Sequence, residues 1–440
     1  MKKKIFIILF LFIIIQNVAA AMFYNGEEPQ CDAVYVVNQE TGVPLIEKNI
    51  HKKVCPACIS KIMVFIIVYE NTKNPDEKIH VTNKVLDLIN PKSFTCKLKD
   101  GDELSISELL HGMLMASLDD AVMVLADYVS GGHVDKFVQM MNDKAVSLGC
   151  NDTYFNHPAN YCSENHQHST AADVYKIASY AMNIPDFVKI VNKTTYNVFG
   201  DERDPLVTTN HMIDRNRGGK YYYPYARGIK TGFCDEAGRC LVSTATKNGC
   251  TYMCVALGGP VKDENGKRIQ NNTAMMDSKK IYSWLFENLK LEKICSGDFP
   301  LGEVGLEFAW RKDKLLLIPE KDFSSILPKR TNKNEVSVKF DLPKSIKAPV
   351  KKGDVIGTAA FFLGNQKLGT VNLISNETAR KNIVVVFMKT LKNIVSSPIF
   401  IIIFIIFILV VFFYLHAIID KNKRLKKKNK VKKFPPKKYG

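Results

Sequence analysis

The residues best equipped for chemistry stand close together in Val54-Cys55-Pro56-Ala57-Cys58-Ile59-Ser60-Lys61, a run that leads into the apolar stretch 62–69. Pro56 sits where helices commonly begin, and neither Pro nor Gly recurs until well past Tyr69. Residues three apart share a helix face, so Cys58 and Lys61 meet while Ser60 turns away. A thiol at a helix N-terminus, beside an ammonium, ionises more readily and is a better nucleophile.

Two further stretches supply what such a nucleophile needs. Ser117-Leu118-Asp119-Asp120-Ala121 lies between two apolar-periodic helical segments, and Lys230-Thr231-Gly232 lies in a strand-like run. Acyl transfer requires a nucleophile, a base, donors for the developing oxyanion and a grip on the substrate. Cys58 fits the first role. Lys61 fits the second, because burial lowers a lysine pKa towards neutrality. Ser117 can relay a proton between Lys61 and the leaving group. Lys230 and Thr231 can hold a terminal carboxylate by charge and by hydroxyl, and Gly232 leaves room for a peptide along the strand edge. Asp119 facing Lys61 favours the ammonium form. That pair suits an ion cluster around a Cys58 thiolate, or else marks a site without turnover.

Placing these groups takes a strand pair, an apolar helix, a helical corner and a sheet. Residues 33–37 alternate as a strand, 38–42 turn, and 43–47 return. Ser105-Ile106-Ser107-Glu108 is a capping box that opens a helix running through Met115. A second helix spans about 120–129 and stops at Gly131-Gly132; a third spans about 134–148 and stops at Gly149. Ser117 and Asp119 therefore fall at a helix-to-helix corner. His168 precedes a further helix with Ser169 or Thr170 as its cap, and reads as structural. Residues 228–233 lead into β-rich runs at 239–246 and 251–257, joined by the hairpin signal Asn248-Gly249. A helix over 278–289 closes this part. From 291 to 375 the pattern changes to short strands at 314–318, 335–340, 357–362 and 368–373, with no catalytic constellation, which reads as a spacer or docking module.

The chain of 440 residues has room for two or three domains. Residues 1–21 combine a basic start, a short apolar core and small residues, the pattern of a signal peptide. Residues 396–419 carry no charge and are long enough to cross a bilayer. Residues 420–440 hold eleven Lys or Arg and one Asp, so most of the net charge of +17 is local and argues against a nucleic-acid-binding body. A basic flank after the span places the tail in the cytoplasm and the bulk on the extracytoplasmic face of the plasma membrane, as a single-pass protein. That tail could attract anionic lipids. The eleven cysteines are scattered and read mostly as reduced, buried, small apolar residues. Cys55 and Cys58 form a Cys-x-x-Cys that permits a redox disulfide. Cys234, Cys240, Cys250 and Cys254 lack the spacing of zinc knuckles, and no metal or other cofactor is expected.

A nucleophile-x-x-Lys, a Ser-x-Asn and a Lys-Thr-Gly mark the penicillin-binding proteins and class A β-lactamases. In order and spacing the three stretches resemble that set, most closely the D-alanyl-D-alanine carboxypeptidases of peptidase family S11. Gly228-Ile229 before Lys230-Thr231-Gly232 and Asp235-Glu236-Ala237-Gly238 after it match that subgroup. Two positions depart: Cys58 stands for the family's Ser, and Asp119 for its Asn. The resemblance covers about 27–375. It implies an α+β, β-lactamase/transpeptidase-like catalytic domain over 22–290 and a small β-rich domain over 291–380, ahead of the span. It implies Cys58, Lys61 and Ser117 as catalytic residues, and Lys230, Thr231, Gly232 and Asp119 as substrate-binding ones. The backbone N–H groups of Cys58 and Phe233 would form the oxyanion hole. The implied substrate is a peptidoglycan stem peptide ending in D-Ala-D-Ala, with β-lactams as inhibitors. The family attaches by an amphipathic C-terminal helix, which this chain is expected to replace with a full span. Two alternatives stand beside a carboxypeptidase acting through an acyl-enzyme on Cys58. One is an inactive member that binds stem peptide or a partner; the other is a thiol-redox protein using Cys55 and Cys58.

Overall fold

The computed structural model describes residues 24–91, 93–159, 167–198 and 204–431. The signal peptide expected over 1–21 lies outside them. Strands β1 (Ala33–Asn38) and β2 (Pro44–Lys48) form the antiparallel pair that their alternation predicts. Strands β3 (Ala226–Cys234), β4 (Gly238–Lys247) and β5 (Cys250–Gly259) complete an antiparallel sheet in the order β2-β1-β5-β4-β3. The β4–β5 turn places Asn248 at φ 52° and Gly249 at φ 74°. Both are left-handed, as a two-residue turn matched to strand twist requires.

Period-two alternation gives the sheet two cores. Met253, Val255 and Leu257 of β5 face one, and Tyr252, Cys254 and Ala256 face the other. The first core is filled by helices α1 (Lys61–Asn71), α2 (Ile106–His111), α3 (Asp119–Ser130), α4 (Val134–Ser147), α5 (Ala171–Met182) and α6 (Pro185–Val191). Every residue of α1 from Lys61 to Val68 is buried, which explains why its sequence shows no polar face. Helix α7 (Thr273–Asn288) covers the second core with Ile281, Tyr282 and Leu285. It starts five residues earlier than 278, because the Asn272 side chain accepts from Met275 N and caps a turn that Asn271-Asn272-Thr273 disguises as loop.

The helix expected through Met115 is the other departure. The capping box at Ser105 and Glu108 is present, but α2 ends at His111 and passes into a wider π-type turn, Gly112–Ala116. A Cβ at Gly112 would lie 3.0 Å from Leu118 Cδ1, so the turn packs tightly against the residue that precedes α3. It ends at Ser117, a non-glycine residue at φ 64°.

The chain divides into two compact units: one runs to Ile294 and takes in 324–337 and 362–368, and the other holds the rest. Most strand residues of the second lie in β6 (Gly302–Glu307), β7 (Lys314–Pro319), β8 (Val336–Asp341), β9 (Ser345–Lys347), β10 (Val355–Leu363) and β11 (Gln366–Ser375), in the order β8-β10-β11-β7-β6-β9. Sequence reading misses β6 and the short β9. After the sheet come α8 (Ile383–Val395) and α9 (Pro398–Val431). Residues 398–426 of α9 form a helix long and apolar enough to span a bilayer, with no part of its apolar stretch buried in protein. Helix α8 exposes Ile383, Val384, Phe387, Met388 and Leu391. The expected replacement is therefore corrected: the chain carries an apolar-faced helix and a span in succession, not a span in its place.

Candidate active site

Cys58 lies in a short 3-10 turn, Ala57–Ser60, and the α-helix proper begins at Lys61. The turn is entered through Pro56 and the left-handed Ala57, at φ 47°. Residues i and i+3 nearly eclipse in a 3-10 turn, so Cys58 still stands over Lys61. Ser60 does turn away, and its hydroxyl is buried without a hydrogen-bond partner.

Lys61 is wholly buried, and its Nζ donates to Ser117 O at 2.6 Å, Ser117 Oγ at 3.1 Å and Asp119 Oδ1 at 2.6 Å. Asp119 opens α3, where the helix dipole favours a carboxylate, and its backbone N–H donates to Phe94 O at 2.8 Å. The left-handed Ser117 is what turns both its carbonyl and its hydroxyl towards one amine. Burial pushes the Cys58 thiol up, but Lys61, Lys230 and a hydrogen bond with Ser117 outweigh it against an opposing Asp119, so the pKa ends below the usual thiol value.

Lys230 is 1 % exposed, and its Nζ donates to Thr231 O at 2.9 Å. Burial draws its pKa down to about 7; Cys58 and Asp119 hold it up, and Lys61 works against them. The next residue, Thr231, shares a 2.5 Å hydrogen bond between its Oγ1 and Thr209 Oγ1. Sequence reading missed this segment. Thr209 N donates to Met115 O at 3.0 Å and Asn210 Nδ2 donates to Gly228 O at 2.7 Å, so residues 209–210 tie the turn before Ser117 to β3. The available signal was the cluster Thr208-Thr209-Asn210-His211 ahead of the Lys-Thr-Gly.

Gly232 does something other than expected. A Cβ there would meet Ala57 Cβ at 3.1 Å, Cys58 N at 3.2 Å and Ile59 Cγ1 at 3.3 Å. The space a side chain would take is filled by the turn that carries Cys58, so the glycine permits strand and turn to touch. Phe233, the next residue, is exposed, with the Arg239 guanidinium 5.7 Å from its ring centre.

The structure thus brings Cys58, Lys61, Ser117, Asp119 and Lys230 together and sets Thr231, Gly232 and Phe233 along the adjoining strand. It separates Cys55 from Cys58. Cys58 is free while Cys55 is disulfide-bonded, so the two are not each other's partner and the redox reading that used them as a pair is withdrawn. The left-handed Ala57 between them turns Cys58 towards Lys61 and Ser117. Cys31, Cys150, Cys234, Cys240, Cys250 and Cys254 are free thiols; Cys240 and Cys254 are buried, with burial pushing both up to about 12.

Residues 21–261 match the family model of D-alanyl-D-alanine carboxypeptidases, Peptidase_S11, and residues 306–381 match that of the penicillin-binding protein 5 C-terminal domain. The chain is similar to the D-alanyl-D-alanine carboxypeptidase DacF of Bacillus subtilis, at 26% identity over 82% of this chain and 88% of that one. It is also similar to the D-alanyl-D-alanine carboxypeptidase of a Streptomyces species, at 28% identity over 54% of this chain and 84% of that one. In fold it resembles penicillin binding protein 5 from Haemophilus influenzae, with a TM-score of 0.66 at 22% identity, covering 81% of this chain and all of that one.

Proposed function

Since the chain belongs to the D-alanyl-D-alanine carboxypeptidase family of hydrolases, we propose that it releases the terminal D-alanine of peptidoglycan stem peptides through a thioester on Cys58. The observation that supports this most is the convergence of a thiol on two buried amines and a hydroxyl. The Cys58 sulfur attacks the carbonyl carbon of the penultimate D-alanine, and the backbone N–H groups of Cys58 and Phe233 receive the oxyanion. The C–N bond breaks, Ser117 passes a proton to the departing amine, and water then cleaves the thioester. Lys230 and Thr231 hold the substrate's terminal carboxylate. The catalytic unit stands on the extracytoplasmic face, α9 crosses the plasma membrane, and the basic tail lies in the cytoplasm.

One observation favours a second reading, a protein that binds stem peptide without turnover. Asp119 takes up Lys61 at 2.6 Å, and a base so engaged gives a nucleophile little help. Intact-mass measurement after incubation with a β-lactam, beside an assay for D-alanine release from a pentapeptide, separates the two. The expected result is an adduct on Cys58 that Cys58→Ala abolishes, together with release. Absence of both adduct and release supports the binding protein. Raised turnover in Cys58→Ser with Asp119→Asn would identify these two positions as the ones that limit it.

A further inference from the structure

Building on the proposed function, we propose that Lys230, and not Lys61, is the amine that exchanges a proton with Cys58. Both amines are buried, but they are bonded differently. Lys61 meets three acceptors, and the three hydrogens of an ammonium match them one for one, leaving no lone pair for a thiol proton. The carboxylate of Asp119 is what completes that set. Among the described residues Lys230 Nζ makes one hydrogen bond, to a carbonyl, and no ion pair. Two residues on, a Cβ added to Gly232 would meet Cys58 N at 3.2 Å, so the strand that carries Lys230 packs against the turn that carries the thiol. The charged groups that face it are Cys58, Lys61 and Asp119, and burial among them brings its pKa to about 7, where a lowered thiol can compete for the same proton.

The step is a transfer within the cluster. The S–H bond of Cys58 breaks, the proton goes to the lone pair of Lys230 Nζ, and a neutral pair becomes thiolate and ammonium. The ammonium so formed is the cation assigned above to the substrate's terminal carboxylate. Arrival of that carboxylate favours the protonated amine and, with it, the thiolate, so recognition and activation become one event. When the C–N bond breaks, Lys230 returns the proton through Ser117 to the departing amine. Water then adds to the thioester; its hydroxyl stays with the acyl group and its proton goes to the Cys58 sulfur.

The test uses the full chain in detergent micelles, with lysines labelled with carbon-13 at the ε position and titrated from about pH 5 to 10. One lysine signal is expected to titrate near pH 7, to be lost in Lys230→Arg and to survive in Lys61→Arg; either variant alone suffices for the assignment if the other does not fold. Loss of that signal in Lys61→Arg, or no lysine titrating near pH 7, overturns the proposal. Alkylation of Cys58 by iodoacetamide, followed by intact mass, gives a second reading: the pH at which alkylation sets in shifts in Lys230→Arg, and an unchanged pH dependence overturns the assignment. Absence of D-alanine release with the titration intact would remove the hydrolytic function and leave the proton partner standing.

Discussion

The cluster has a helical side and a strand side, and they match the family's motifs unequally. On the function proposed above, the helical side, with Cys58, Lys61, Ser117 and Asp119, carries both departures, and each substitutes a more acidic group: a thiol for a hydroxyl and a carboxylate for an amide. The strand side keeps Lys230-Thr231-Gly232 intact, buttressed by Thr209 and Asn210. The departures fit each other electrically. Asp119 pairs with Lys61 at 2.6 Å, and on the proposed mechanism a thiol is the nucleophile that needs a base least. What the helical side gives up in proton exchange, the strand side can supply, because Lys230 has no carboxylate partner among the described residues.

The largest expected effect comes from breaking the helical side. Asp119→Ala strands the wholly buried Lys61 charge, and loss of one partner of a buried pair costs about 3–5 kcal/mol. Urea unfolding would read this directly. A loss under about 1 kcal/mol would mean that Lys61 finds water, and that the two amines differ less than their hydrogen bonds imply. The joint between the sides comes next. Gly232→Ala drives a methyl to within 3.1–3.3 Å of Ala57, Cys58 and Ile59, an overpacking worth about 1–3 kcal/mol. Displacing the nucleophile's turn by even part of an ångström should also slow β-lactam labelling of Cys58, by about tenfold. Unchanged labelling would show slack where the structure shows contact.

How legible this was depended on how local the cause was. Period-two alternation gave β1, β2, β4 and β5, and the left-handed pair Asn248-Gly249 gave their connection, because each signal acts within a few residues. The convergence on Cys58 was readable only through the spacing of three motifs. Nothing local foretold the wider turn over Gly112–Ala116, packed close to Leu118 and ending at the left-handed Ser117. Gly232 was read as open space because the sequence does not say which segment lies beside it. Thr209 and Asn210 escaped for the same reason: their partners, Met115, Thr231 and Gly228, are remote in the chain. Cys55 and Cys58 were readable as a pair by spacing alone, whereas Cys55 is disulfide-bonded and Cys58 is free.

The smallest effect isolates the strand side through the pH dependence of stability. Lys230 sits at about 7 in the folded chain against an ordinary 10.5, so above pH 7 the unfolded state binds more protons than the folded one. Stability then rises with pH across that window, and the contribution is least below 7. Cys58 acts in the same direction: its lowered thiol favours the fold above its ordinary 9.0, and that gain is lost as pH falls through the folded value. Between pH 7 and 9 the native chain should gain on the order of 2 kcal/mol more than Lys230→Met, which has no amine to titrate. Urea midpoints of both proteins at the two pH values measure the difference, and titrations common to both cancel in it. Asp119→Ala, though much less stable, should keep a slope of the same sign, since it leaves the amine in place and removes one of the groups that hold its pKa up. Equal slopes in the native chain and Lys230→Met would mean that Lys230 keeps its proton on folding.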